Sequence, residues 1–169
     1  MGSRYLAMAL IKCPGCGGQF DDIQGPTHRY MESSPGCWAA YGEVLAREYQ
    51  DPEYFAVHKF TVDAYAVQHP GHPSPQTIQS VAGHLIRLCL MLERNLATER
   101  ANDAIKAAVG REYVWLTPPS SMGPVTVADV RKASNPAEHR QLVRAWAASA
   151  WAAWSLHHAT IWSWLPQGF

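Results

Sequence analysis

The amino-acid sequence predicts an all-α protein with a four-helix-bundle-like core, a small N-terminal zinc-knuckle lobe and an irregular insert between the third and fourth helices. Two observations lead to this prediction. First, a Ser, Asp or Asn directly precedes a proline four times, and helical patterning follows each pair. Such side chains accept hydrogen bonds from the amides of a first helical turn, and proline at the first helical position loses no hydrogen bond. Second, residues 81–92 are apolar nearly all round, which indicates a buried central helix.

Each of these pairs begins one predicted helix. The insert before the fourth helix contains a helical segment at 101–109, a short strand at 113–116 and a capping box at 126–129. The fourth helix also holds five of the seven tryptophans, which we expect to fill core volume. The four predicted helices run from Pro35 to about Tyr49, from Pro52 to about Gln68, from Pro75 to at least Leu96, and from Pro136 to just before Pro166.

Length and charge exclude several classes of protein. The 169 residues predict a single domain over 1–169, with the zinc-knuckle lobe at 13–37 and the helical core at 35–165. Lys plus Arg and Asp plus Glu both number 14, and this balance argues against a nucleic-acid or anionic-membrane partner. No apolar run approaches the roughly 20 residues of a membrane span. The N-terminal residues lack a convincing secretory cleavage site, so we expect a cytoplasmic protein with reduced thiols.

The cysteines predict a metal site. Cys13 and Cys16 belong to the turn Cys-Pro-Gly-Cys-Gly, whose two-residue spacing lets both thiolates reach one tetrahedral zinc ion. Two more ligands are needed, and a His and a third Cys follow within 25 residues of the first. Zinc at such a site fixes an irregular segment, because the free energy of ion binding becomes free energy of folding. The predicted structural zinc ligands are Cys13, Cys16, His28 and Cys37.

Three alternatives to this ligand set stay open. His69 or His72 takes the place of His28 if the loop after the second predicted helix folds back. The second alternative is that Cys13 and Cys16 are two free cysteines in a loop and bind no metal. A redox C-x-x-C is the third alternative, although such motifs usually open a helix after a strand, and Pro-Gly-Cys-Gly suits a turn better.

Several histidines lie on predicted core helices and suggest a second site. One is on the second helix, one on an apolar face of the third, and one on the fourth. Three inward histidines from three helices are what a metal site in a helical bundle requires, and such a triad leaves coordination positions open for water and substrate. The alternative is that each is an ordinary hydrogen-bonded packing residue. The candidate ligands of a second divalent metal are His58, His84 and His158, with Asp63 and Glu43 as available carboxylates.

Four longer motifs carry a resemblance. They are Cys-Pro-Gly-Cys-Gly at 13–17, Gly-Pro-Thr-His-Arg-Tyr at 25–30, Ser-Pro-Gly-Cys-Trp at 34–38 and Val-Asp-Ala-Tyr-Ala-Val-Gln-His-Pro-Gly at 62–71. With them the chain resembles a bacterial family of small uncharacterised proteins, a domain of unknown function. The likeness extends from Cys13 to about Trp164. It implies no established activity.

These motifs suggest three classes of function. The first is a small metal-dependent enzyme of the hydrolase or transferase type, acting on a small-molecule substrate at a His-lined site in the helical core. The second is a non-enzymatic zinc-binding module with packed histidines and a Trp-lined face for a homo-oligomer or another partner. The third is a thiol redox protein that uses Cys13 and Cys16. A second ion favours the enzyme, whereas one ion and a dry core favour the module.

Overall fold

The computed structural model describes residues 9–169. In this part of the chain a two-stranded hairpin precedes a series of helices, so the fold is mostly helical, as predicted. The elements are β1 (Leu10–Lys12), β2 (Gln19–Asp21), α1 (Pro35–Gln50), α2 (Pro52–Phe55), α3 (His58–Gln68), α4 (Pro75–Leu92), α5 (Thr98–Ala107), α6 (Val127–Arg131), α7 (Pro136–Ala153), a 3-10 turn (Ser155–His157) and α8 (His158–Ser163).

The predicted helix starts are confirmed at the level of single hydrogen bonds. In each of the four Xaa-Pro pairs the side chain before proline accepts a backbone N–H of the first turn. The predicted capping box also forms, with Thr126 accepting from the backbone of α6 and Asp129 accepting from the N–H of Thr126. These caps could be predicted from the sequence because each depends on only a few adjacent residues. The four capping residues are Ser34, Asp51, Ser74 and Asn135.

The helix ends differ from the predicted ones. The second predicted helix is broken between α2 and α3, where Val57 leaves the helical region with φ −113° and ψ 9°. The third ends at Leu92, because Asn95 adopts φ 51° and the N–H of Leu96 donates back to the carbonyl of Leu90 at 3.0 Å. The fourth predicted helix ends at Ala153 as α7, and a separate 3-10 turn and α8 follow it. Residues 113–116, predicted as a strand, have no regular secondary structure.

The helices pack around α3. This helix contacts α4 and α7, while α1 contacts α2, α3 and α6. Two fully buried indoles join the layers: Trp146 Nε1 donates to Gln68 Oε1 at 2.7 Å, and Trp154 Nε1 donates to the Val67 carbonyl at 3.1 Å. Each indole therefore fills core volume and satisfies its one donor. No helix of residues 9–169 is long and apolar enough to cross a membrane.

The hairpin brings the N-terminal cysteines to the helices. Strands β1 and β2 pair antiparallel, with Ile11 opposite Phe20, and the cysteine turn connects them. The turn is closed by the N–H of Cys13 donating to the Gly18 carbonyl at 2.8 Å. Strand β2 lies against α1, where a Cβ on Gly36 would meet the Asp21 carbonyl at 2.3 Å. Only glycine therefore permits this close approach of the hairpin to the start of α1.

Candidate metal centre

Three cysteines and one histidine come together where the hairpin meets α1 and α3. Cys13 and Cys16 lie in the hairpin turn, Cys37 lies in the first turn of α1, and His69 is the C-terminal capping residue of α3. All four side chains are buried, and one ligand atom from each lies within 4.8 Å of all the others. A Cys3His set of this kind is a typical donor set for zinc.

The distances between donor atoms fit a tetrahedral zinc ion. With Zn–S bonds of about 2.3 Å and a Zn–N bond of about 2.0 Å, tetrahedral geometry places two sulfurs about 3.8 Å apart and sulfur and nitrogen about 3.5 Å apart. In the structure, Cys16 Sγ lies 3.9 Å from Cys37 Sγ. Cys37 Sγ lies 3.4 Å from His69 Nε2. These two distances match a tetrahedral ion, and the donor atoms of all four residues lie within 4.8 Å of one another.

A hydrogen bond orients the imidazole of His69. Its Nδ1 lies 2.6 Å from the carbonyl oxygen of Tyr65, one helical turn earlier in α3, so Nδ1–H donates there. The lone pair is then on Nε2, the nitrogen that faces Cys37. The ring also stacks on Tyr65 with 4.0 Å between centroids. Metal-binding histidines usually have such a partner on the second nitrogen, because it fixes the tautomer and the ring orientation.

Further hydrogen-bond donors surround the sulfurs. The N–H of Gly18 donates to Cys16 Sγ at 3.4 Å, and the Tyr65 hydroxyl lies 3.5 Å from Cys37 Sγ. Donors of this kind stabilise thiolates, which are the form of cysteine that binds metal.

Glycine at position 15 lets the cysteine turn reach α3. A Cβ there would lie 2.2 Å from the Glu32 carbonyl oxygen and 2.4 Å from Cδ2 of His69. The neighbouring atoms are backbone and a packed ring, so they cannot move aside easily. Gly15 in Cys-Pro-Gly-Cys therefore allows the cysteine turn to pack against His69.

The three thiols compete for charge when no cation neutralises them. Hydrogen bonds from the thiols of Cys16 and then Cys37 lower the pKa of Cys13. The bond that Cys16 donates to Cys13 raises the pKa of Cys16 to about 12, and the hydrogen bond that Cys37 makes to Cys13 raises the pKa of Cys37. A divalent cation would remove this competition, because each thiol would release its proton and bind the cation as a thiolate.

The predicted ligand His28 does not lie with the three cysteines. That histidine lies outside the cluster, where its Nδ1 accepts from the N–H of Tyr30 at 3.4 Å and its ring packs edge-on against Tyr30. His72, the other alternative, is exposed in the turn before α4. The structure instead places His69 with the cysteines. His69 was one of the alternatives that the sequence left open, and it lies at the end of α3, directly before Pro70.

The structure does not bring the three core histidines together. Within residues 9–169 the Cys3His cluster is the one group of three or more His, Cys, Asp or Glu donors with metal-site spacing. His58 Nδ1 contacts Glu48 at 2.7 Å, and His84 Nδ1 contacts Asp63 at 2.7 Å. His158 Nε2 contacts the carbonyl of residue 151 at 3.0 Å. Each histidine therefore has a hydrogen-bond partner of its own, as in the packing alternative.

Sequence reasoning missed the buried carboxylate of Glu48. This fully buried side chain on α1 accepts from His58, from His139 Nε2 at 2.9 Å on α7, and from the Thr61 hydroxyl on α3. Burial raises its pKa, but the bonds from His139, His58 and Thr61 outweigh burial and lower it overall. His139 Nδ1 has no hydrogen-bond partner among the described residues. Of the two predicted carboxylates, Glu43 lies on the surface and pairs with Arg131 at 2.6 Å, whereas Asp63 is buried and contacts His84.

Comparison with known proteins supplies a family. Residues 11–155 match a family of unknown function, DUF5946, and the chain belongs to it. No curated protein and no solved structure matches the chain.

Proposed function

We propose that the protein is a zinc-binding module in which Cys13, Cys16, Cys37 and His69 hold one structural zinc ion. The observation that supports this most strongly is the closed and buried four-donor set, with sulfur–sulfur and sulfur–nitrogen distances of 3.9 and 3.4 Å. Structural zinc sites use four protein ligands, whereas catalytic zinc sites keep one position open for water or substrate. Among the metals that bind cysteine, zinc also suits a mixed thiolate–imidazole set without redox chemistry.

The ion's role is to join three parts of the chain. The two-stranded hairpin is too small to be stable by itself in water. Its turn supplies two ligands, while α1 and α3 supply one each. Zinc therefore links the hairpin to the helical core, and the free energy of ion binding adds to the stability of this junction.

The enzyme and redox hypotheses have weaker support. A metal-dependent enzyme needs a second ion, and His58, His84 and His158 have separate partners. A thiol redox protein needs an accessible low-pKa thiol. Cys13 and Cys16 are only 1% and 5% exposed, and His69 completes a metal set around them. Both hypotheses stay predictions, because the described residues do not form the site that either of them needs.

The test is metal content per chain for the wild type and two histidine variants, purified without a His tag. We expect one zinc per wild-type chain. His69→Ala is expected to lose most of the zinc or to bind it at least about tenfold more weakly, because a ligand is removed. The matched control His28→Ala is expected to keep a full equivalent. Loss of zinc from His28→Ala and retention by His69→Ala would overturn the proposed ligand set.

A further inference from the structure

A chain of two hydrogen bonds leads from the buried carboxylate of Glu48 to the surface. Glu48 and Tyr49 lie near the end of α1, and His58 begins α3. Glu48 Oε2 lies 2.7 Å from His58 Nδ1, and His58 Nε2 lies 3.2 Å from the Tyr49 hydroxyl. Glu48 is fully buried and His58 is 8% exposed, whereas Tyr49 is 68% exposed. The chain therefore ends at a side chain that is mostly in solvent.

The charge of Glu48 fixes the direction of these hydrogen bonds. Glu48 also accepts from His139 and Thr61, and the bonds to it lower its pKa, which keeps the carboxylate ionised. An ionised carboxylate has no proton to give, so His58 Nδ1–H donates to it. In the neutral ring the lone pair is then on Nε2, and the Tyr49 hydroxyl donates there. A carboxylate thus orients an imidazole whose other nitrogen accepts the proton of a hydroxyl group, which is the arrangement of an activated nucleophile.

Aromatic packing holds the imidazole in this orientation. The ring of Phe55 in α2 stacks on that of His58, with 4.7 Å between centroids and 13° between planes. The ring of Tyr49 lies 4.9 Å from His58 and 5.5 Å from Phe55. Phe55 is exposed, as Tyr49 is. The two therefore form an uncharged aromatic surface beside the imidazole.

The charges around Tyr49 favour an uncharged electrophile. Transfer of a phosphoryl group requires cationic groups that neutralise its oxygens. Among residues 9–169 the partner of the Tyr49 hydroxyl is His58, and no arginine or lysine donates to it. Two nearby arginines have other partners, since Arg47 lies over the ring of Tyr54 and Arg140 donates to the Glu53 carbonyl. The negative charge of Glu48 also disfavours an anion, so an acyl group suits this position better than a phosphoryl group.

We propose that Tyr49 is an acyl acceptor for uncharged activated carboxylic esters, with His58 as its general base and Glu48 as a positioning residue. The Tyr49 oxygen bonds to the ester carbonyl carbon, and the bond from that carbon to the leaving oxygen breaks. The Tyr49 proton passes to His58 Nε2 and then to the leaving oxygen, so the products are O-acyl-Tyr49 and an alcohol. Glu48 stabilises the imidazolium that forms in between. This reaction does not involve the proposed zinc site.

The test compares two tyrosines of the same protein. Full-length zinc-loaded protein is treated with 4-nitrophenyl acetate, and mass spectrometry of its peptides gives the acetylation rate at Tyr49 and Tyr30. Tyr30 is 39% exposed, so the exposure of the two side chains differs less than twofold. We expect acetylation at least about tenfold faster at Tyr49, because a positioned general base contributes about 10²–10⁴-fold. Equal rates at the two tyrosines would overturn the proposal.

Variants assign the rate difference to the imidazole. His58→Gln is expected to lower the Tyr49 rate to that of Tyr30, because the glutamine side chain takes up no proton. The matched control His28→Ala removes the histidine that packs against Tyr30 and is expected to change neither rate. Thermal melts of the same samples show that each variant is folded. An undiminished Tyr49 rate in folded His58→Gln would also overturn the proposal, and if that variant does not fold, the comparison of Tyr49 with Tyr30 in the wild type decides.

Discussion

The Cys3His cluster and the Glu48 cluster are both buried polar groups anchored on α3, and they satisfy their polar atoms in opposite ways. His58 opens α3 and His69 follows its last residue. Around Glu48, one carboxylate meets hydrogen-bond donors from His58, His139 and Thr61, so its charge is stabilised by the protein alone. In the other cluster the donor atoms are three sulfurs and an imidazole nitrogen, which all lie within 4.8 Å of one another. Only a cation satisfies all four at once.

The difference teaches that a buried histidine does not by itself indicate a ligand. The two clusters differ in the partners of the two ring nitrogens, Nδ1 and Nε2. His69 donates with Nδ1 to a carbonyl and turns a free Nε2 toward thiols. His58 directs its Nδ1 to a carboxylate and its Nε2 to the Tyr49 hydroxyl at 3.2 Å. Removing the ion should therefore damage one cluster and leave the other intact.

The largest expected effect is on the metal cluster. We expect Cys16→Ser to lose zinc and to lower the melting temperature by more than about 10 °C, because the binding energy of the ion is part of the folding energy. The checks are thermal melts and zinc content per chain. Cys89→Ala is the matched control, because Cys89 is buried outside the cluster on α4. It should keep its zinc and lose far less stability. An unchanged melt with full zinc in Cys16→Ser would contradict structural zinc.

The next largest effect is expected at Glu48. Glu48→Gln replaces an acceptor by a group that meets donors with its own N–H2, and removing one partner of a buried charged pair costs about 3–5 kcal/mol. Chemical denaturation should show this loss while zinc content stays at one equivalent. The control Glu43→Gln breaks an exposed pair with Arg131, for which about 1 kcal/mol or less is expected. Zinc loss from Glu48→Gln would show that the two clusters are not independent.

How far the sequence predicts this molecule depends on the distance between the interacting residues. Helix starts at Ser34 and Asn135 were predictable because a cap involves residues within three positions. The same locality predicts the paired thiols of Cys13 and Cys16. The choice of His69 over His28 depends instead on how the turn containing Gly15 docks on α3, which no local pattern encodes. Glu48 and His139 are 91 residues apart, and no sequence spacing links them.

Acidification is expected to affect the two clusters through different reactions. The folded-state pKa of Glu48 is lowered from its ordinary value of 4.5, so its contribution to stability is complete above about pH 4.5 and is lost as the pH falls through the lowered folded-state value. In metal-free protein, the difference in unfolding free energy between wild type and Glu48→Gln should therefore shrink as the pH falls below about 4.5. A difference that does not shrink there would contradict the ionised carboxylate. In zinc-loaded protein, acid also releases the ion by protonating the thiolates.

The core histidines are expected to have no effect on metal content and a modest effect on stability. His84→Ala removes a hydrogen bond to buried Asp63, which keeps its pairing with Arg87, so we expect a loss of about 1–3 kcal/mol with one zinc retained. Denaturation and elemental analysis measure both quantities. Two ions per wild-type chain, with one lost in His84→Ala, would instead support the second metal site predicted from the sequence.

The most direct test of the central claim is X-ray absorption at the zinc edge of the purified full-length protein. The geometry of Cys13, Cys16, Cys37 and His69 predicts three sulfur neighbours at about 2.3 Å and one nitrogen at about 2.0 Å. A spectrum with only nitrogen and oxygen neighbours, or with fewer than three sulfurs, would contradict the Cys3His site.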